Sequence, residues 1–272
     1  MRVNSECAHQ VRPPLRGMEN SRAVGQFATT HYFNASFTRA PGLEGKPGRP
    51  SKLESLMAYS GVRELIIENR HNGERLAMRR VKRGDEVWLE LKGLLPAHRQ
   101  GPPLHIHVAE DEEGVVRSGT LSAVLNDRRF TVGSGERVSL PRGSTHRWWN
   151  DGNEPLVFEG YARPVVDLDR FLQAIFEVLN AGSAARPPLF YMAHLLLRHR
   201  HTQTLVIMPR PIQAVLFRVI VTVGTLLGRY RGEDWPGCPS RCLGAPLDAE
   251  GATESAPAQS PDNGSRIAIA EV

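Results

Sequence analysis

The chain has 272 residues, of which 34 are Lys or Arg, 29 are Asp or Glu and three are Cys, giving a formal net charge of +5. That length fits one or two domains, and 40 % hydrophobic residues exclude disorder throughout. Three cysteines, with Cys7 remote from Cys238 and Cys242, exclude a dense disulfide framework and point to a reducing compartment.

Residues 1–56 carry eight basic and four acidic side chains and no sustained helical or alternating period, which predicts a disordered leader. No run of roughly 7–15 apolar residues follows the N-terminal charges, so a secretory signal is not expected and the location is read as cytoplasmic. Met57 stands just ahead of the first strand-like pattern, as an over-extended start would leave it. An Arg-rich targeting arm is the rival reading.

From Arg63 the pattern changes to short alternating runs broken by Gly, Asn, Asp and Pro. RELIIENR and ERLAMRRV flank His71-Asn72-Gly73, a strong hairpin signal. EVWLELKGLL, LHIHV, GVVRSGTLSAVLN, RRFTVG, RVSLP, THRWWN and LVFEGYARP follow. About nine short strands over residues 57–166 predict a mainly β architecture, an antiparallel sandwich or barrel. This stretch is nearly neutral, at +1.

After Asp167 the period becomes helical, and residues 167–231, at +5, predict about three α-helices. Leu168, Phe171, Leu172, Ile175, Phe176 and Leu179 share one face, with Asp167 as the expected N-cap. The second helix is expected over Leu189–Arg200 and the third over Ile212–Gly228. Its 17 residues from Ile212 are mostly apolar, at the lower limit of a membrane span. Arg218, Thr222, Thr225 and Arg229 nevertheless form one stripe about 60° wide at about 100° per residue. That amphipathic pattern favours a helix docked on the barrel or at a subunit interface, with membrane association through residues 205–230 as the rival. Residues 232–272, at −5 and rich in Gly, Pro, Ser and Ala, predict a disordered tail in which Cys238 and Cys242 are incidental thiols. No basic face with interleaved aromatics is visible, so a nucleic-acid partner is not expected.

The chemistry concentrates in LHIHVAEDEEG and THRWWN. Residues i and i+2 of a strand project to the same side, so His105 and His107 can share one ion. Glu112 can return to that side through a bend or at the start of the next strand, and an antiparallel neighbour can bring His146 opposite the pair. Three imidazoles and one carboxylate on a barrel wall suit a first-row divalent metal. Taken singly, a strand histidine is ordinarily a surface or satisfied core residue, and EDEE reads as a solvated loop; the spacing sets these four apart. His199-Arg200-His201 has the same gap inside a helical pattern, where i and i+2 stand about 200° apart, and is assigned no function.

Residues 101–150 resemble the cupin superfamily of double-sheet jelly rolls. The first cupin motif has His-x-His, a Glu after four residues and a Gly after six more, matched by His105, His107, Glu112 and Gly119. The second is matched throughout by Gly135, Pro141, Gly143, His146 and Asn150. The first departs only at its opening Gly, where Arg99 stands. The chain is also similar to bacterial single-cupin proteins whose barrel is followed by a helical, Pro-containing segment. The resemblance implies a double-stranded β-helix over roughly 60–165, and a divalent transition metal (iron, manganese, nickel or zinc) on His105, His107, Glu112 and His146. It also implies open coordination positions for oxygenation, isomerisation or decarboxylation, and a homodimer. Trp148 and Trp149 alternate faces, so one of them is expected to point inward beside the site, where ordinary core packing is the leading reading and the wall of an apolar ligand pocket the rival. The reading is a metal-dependent enzyme of a small organic molecule, with a dioxygenase or isomerase as the expected type; a non-catalytic binding or sensing barrel is the alternative.

Overall fold

The computed structural model describes residues 64–183, 187–245 and 247, and the backbone of residues 267 and 268. The expected leader, Met57 and most of the expected tail lie outside them. Strands β1 (Leu65–Asn69) and β2 (Glu74–Arg83) pair antiparallel around the Asn-Gly turn, with Gly73 at φ +75°. They are followed by β3 (Glu86–Leu95), β4 (Arg99–Gln100) and β5 (His105–His107). Next come β6 (Asp111–Ser118), β7 (Leu121–Leu125), β8 (Arg128–Val132), β9 (Arg137–Leu140), β10 (Thr145–Asn150) and β11 (Leu156–Arg163). The run GVVRSGTLSAVLN is therefore two strands. They break at Gly119, where φ is +77° and a Cβ would lie 2.7 Å from the Pro155 carbonyl oxygen.

The strands form two layers. One sheet runs β1-β2-β3-β11-β6-β9 and gains β13 (Ile267–Ala268) as a parallel edge, and the other runs from β12 (Gln203–Leu205) through β5, β10 and β7 to β8, with β4 beside β10. The strand β12 (Gln203–Leu205) comes from the segment expected to be purely helical. Three residues are too few to show a period.

Helices α1 (Leu168–Ala181), α2 (Leu189–Arg198) and α3 (Arg210–Leu226) lie close to their expected bounds. Two apolar clusters result. Leu95, Val116, Leu121, Leu125, Val132, Leu140 and Leu156 fill the space between the sheets. Leu76, Met78, Leu89 and Leu91 pack instead against Leu168, Phe171, Val178, Leu195 and Phe217 of the helices. The helical layer thus covers the part of the larger sheet that the smaller one does not reach.

Two expectations need correction. The second helix stops at Arg198 rather than Arg200: the Thr202 and Gln203 amides both turn back to the His199 carbonyl. His199 and Thr202 also bond the Asp167 carboxylate, which therefore makes no capping bond to α1. Residues 232–245, within the expected disordered tail, pack on the helices. Trp235 is buried beside Tyr191, His194 and Tyr230, and Cys238 and Cys242 are buried. Gly- and Pro-rich composition concealed these few apolar anchors, whose burial comes from tertiary docking. Burial pushes the Cys242 thiol up to about 12.

One ion pair ties this assembly together. Arg80 of β2 donates from Nε and Nη2 to the two oxygens of Asp169 at 2.8 and 2.7 Å, and Asp169 is fully buried. Removing one partner of a buried pair strands the other charge, at a cost of about 3 kcal/mol. Asp169→Ala is therefore expected to lower the urea midpoint by that equivalent. An unchanged midpoint would show that Arg80 finds water without penalty.

Candidate metal centre

Strand β5 has the burial pattern buried, half-buried, buried, so His105 and His107 face inward and Ile106 outward. In the antiparallel register with β10, His146 stands opposite His105 and is fully buried. The turn leading into β10 is pinned to the same strand, since the Gly143 amide donates to the His107 carbonyl at 2.8 Å. Gly143 sits at φ +80°, which favours glycine at that motif position.

The result is a compact set of nitrogens. One ring nitrogen from each of His105, His107 and His146 lies within 4.8 Å of the others. His105 Nε2 and His107 Nε2 are 3.1 Å apart, and Glu112 Oε2 lies 3.6 Å from His107 Nε2 and 3.9 Å from His146 Nε2. All four residues singled out in the sequence therefore meet at one point of the inner wall.

Backbone carbonyls fix the tautomers. His105 Nδ1 lies 2.8 Å from the Pro103 oxygen and His146 Nδ1 lies 3.3 Å from the Ser144 oxygen. A carbonyl only accepts, so the protons sit on Nδ1 and both Nε2 atoms present bare lone pairs inward. His146 Nε2 has no hydrogen-bond partner. Burial holds His105 and His107 down to about 4 and His146 lower still, so the imidazoles are neutral at pH 7. Burial raises Glu112.

Around this point the interior is part aromatic and part small. Trp148 packs against Phe158 with ring centroids 5.2 Å apart, on the side of the strand that bears His146. Trp149 belongs to the opposite face, where the Arg129 and Arg147 guanidiniums each lie 4.9 Å from its ring. Gly93 makes room for Phe158: a Cβ there would lie 2.0 Å from the Phe158 Cζ.

Three features escaped the sequence reading. Glu110, in the run taken for a solvated loop, is completely buried, and neither carboxylate oxygen has a hydrogen-bond partner of normal geometry among the described residues. Burial pushes it up to about 7, with help from the Asp167 and Glu112 charges. Its one signal was the two-residue offset from Glu112. His199 and His201 do converge: the helix has ended, and their Nδ1 and Nε2 lie 2.9 and 3.1 Å from Asp167 Oδ2. Burial alone would raise Asp167, but these histidines and Thr202 hold it down to about 2. Third, a cavity of about 320 Å³ opens beside the histidine strand rather than over it, with Val108, His201, Gln203, Arg210 and Phe217 among its walls.

A carboxyl raised above its unfolded pKa binds more protons folded than unfolded, so its penalty grows as pH rises from 4.5 through about 7. Glu110→Gln is thus expected to stabilise the metal-free protein by roughly 3 kcal/mol at pH 8 and not below pH 4.5. Urea midpoints at both pH values measure this, and equal shifts would show that the carboxyl finds solvent.

A cupin-domain family model matches residues 94–162. The oxidoreductase iacF of Pestalotiopsis fici is 38 % identical over 88 residues, 31 % of this chain and 43 % of that protein. The probable oxidoreductase virH of Hypocrea virens is 34 % identical over 67 residues, 24 % of this chain and 31 % of that protein. The chain spans less than half the length of either relative. A solved structure, a predicted oxalate decarboxylase of Thermotoga maritima, shares 20 % identity across 40 % of this chain and 98 % of its own, at a TM-score of 0.31. The family match runs from β3 to β11, over the two-sheet barrel in which the histidine strands face each other, so residues 94–162 form a cupin domain.

Proposed function

We propose that the chain is a metal-dependent oxidoreductase that acts on a small organic molecule inside the barrel. In this reading His105, His107, Glu112 and His146 hold one divalent transition metal: iron, manganese, nickel or zinc. The observation that carries it is the pair of bare, buried Nε2 atoms of His105 and His146, oriented by carbonyls and joined by His107 Nε2 at 3.1 Å. His146 Nε2 has no hydrogen-bond partner, and leaving a buried lone pair unmatched is costly; a cation satisfies it together with the neighbouring imidazole nitrogens. The donor set of three neutral imidazoles and a carboxylate suits these ions. When bound, the ion supplies Lewis acidity and, where redox-active, electrons for dioxygen chemistry.

The chain's own residues supply the rest. Trp148 and Phe158 present an apolar aromatic wall, which favours a flat, largely apolar substrate. Glu110 holds a proton near neutral pH in the same buried region, ready to donate to or accept from a bound molecule. The oxidoreductase names of the two fungal relatives support redox chemistry over isomerisation, and within it we favour a dioxygenase.

Elemental analysis after expression in medium supplemented with each of the four metals is expected to give one equivalent per chain. His146→Ala is expected to lose at least ~10-fold in affinity. Absence of any stoichiometric metal would sink the reading, and full metal content in His146→Ala would sink the ligand assignment. Neutral imidazoles bind metal and protonated ones do not. Glu112, raised by burial, takes up a proton first and weakens binding, and occupancy is expected to be lost as pH drops through about 4, where His105 and His107 protonate. Loss already complete at pH 6 would place the ion on exposed groups instead.

A further inference from the structure

We propose that α3 lies flat on an anionic lipid bilayer, with its outer face in the headgroup region and its arginines on lipid phosphates. The proposal is independent of the metal reading. Ile212, Val215, Leu216, Val219, Val223 and Leu226 are all exposed, from 40 % at Leu216 to 79 % at Leu226. At about 100° per residue these six fall within an arc of about 100°. Gln213, Phe217 and Gly224 of the same helix are buried against the protein, so the apolar sector is a second face in addition to the docking face. An exposed stripe of this kind on a folded protein marks an interaction surface.

Charge selects the occupant. Between Val178 and Gly232 the sequence contains seven Arg and no Asp, Glu or Lys. Arg218 and Arg229 form the stripe next to the apolar sector, and both are exposed. Two copies paired through this face would bring these stripes together without a carboxylate on either helix to offset them. An anionic bilayer offers the opposite charge along the whole edge, with hydrocarbon beneath it. Length settles the orientation, because 17 residues rise only about 25 Å, short of the roughly 30 Å core of a bilayer. No helix among the described residues is long and apolar enough to cross a membrane.

Leu205 is in register with His105, and the Val206 amide donates to the Leu104 carbonyl at 2.9 Å. The segment just ahead of α3 is therefore paired to the strand that carries the histidines.

Co-sedimentation of the full chain tests this, using vesicles of phosphatidylcholine alone and of equal parts phosphatidylcholine and phosphatidylglycerol. Wild type is expected to sediment with the anionic vesicles and to be released by salt. Val219→Glu combined with Val223→Glu is expected to reduce binding at least ~10-fold with an unchanged melting temperature, since both side chains are exposed. Replacing Arg210, Arg218 and Arg229 by Gln is expected to reduce anionic binding by about fivefold per arginine while weak binding to neutral vesicles persists. Failure of wild type to sediment would overturn the proposal, as would full binding by the double glutamate variant. So would a dimer seen by light scattering that the glutamates dissolve, which would make a second copy the occupant.

Discussion

The centre of the molecule depends on the register of a three-residue strand. β5 contributes only His105, Ile106 and His107, and side-chain period is two, so a slip of one residue would turn Ile106 inward and both histidines out. So short a strand cannot hold its own register. β10 pairs with it on one side at His105 and Ile106, β12 pairs on the other along all three residues, and the Gly143 amide ties the next turn to the His107 carbonyl. The ring orientation repeats one local device: His105 and His146 each donate Nδ1–H to the carbonyl two residues upstream. Backbone geometry thus sets which nitrogen is bare before any ligand is considered.

Burial explains the rest of the site's electrostatics. The same desolvation that keeps the imidazoles neutral raises the carboxyls of Glu110 and Glu112. A region that disfavours charge on every side chain in it becomes favourable for a doubly charged ion only because several donors face one point at once. Asp167 shows the contrasting solution nearby. It is also partly buried, yet it stays ionised because His199, His201 and Thr202 turn toward it. That carboxylate holds the end of α2 beside the start of α1, and so carries the chain from the helical layer into β12.

Much of the barrel was legible because its signals are local. The Asn-Gly turn, the His-x-His spacing and the glycines at 119, 135 and 143 state their conformation within a few residues, and all three glycines have positive φ. Trp148 and Trp149 illustrate partial legibility: alternation from His146 puts Trp148 on the histidine side, but its packing against Phe158 depends on a distant strand. What could not be read depends on distant partners. β12 is a strand only because β5 has a free edge, and the burial of Glu110 is invisible in a run of four acidic residues. The His199/His201 pair was misjudged because helical periodicity persists in the sequence past the point where Asp167 ends the helix. Trp235, Cys238 and Cys242 sit in a composition that resembles disorder, yet they pack once the helices exist to receive them.

The helical segment replaces strands in the second layer, and this substitution leaves one face without a natural cover. A sheet edge that meets a helix layer buries one stripe of each helix, which α1 and α2 satisfy with Phe171, Val178 and Leu195. Residues 232–245 then return over α1, where the Gly237 amide meets Glu177 and the Ala245 amide meets Asp169. The outer face of α3 receives no such return among the described residues. A helix required only to seal the layer would carry polar residues on that face, as most surface helices do. Six large apolar side chains there, beside arginines and without one acidic residue, are what burial in an anionic interface demands and what packing inside this fold does not.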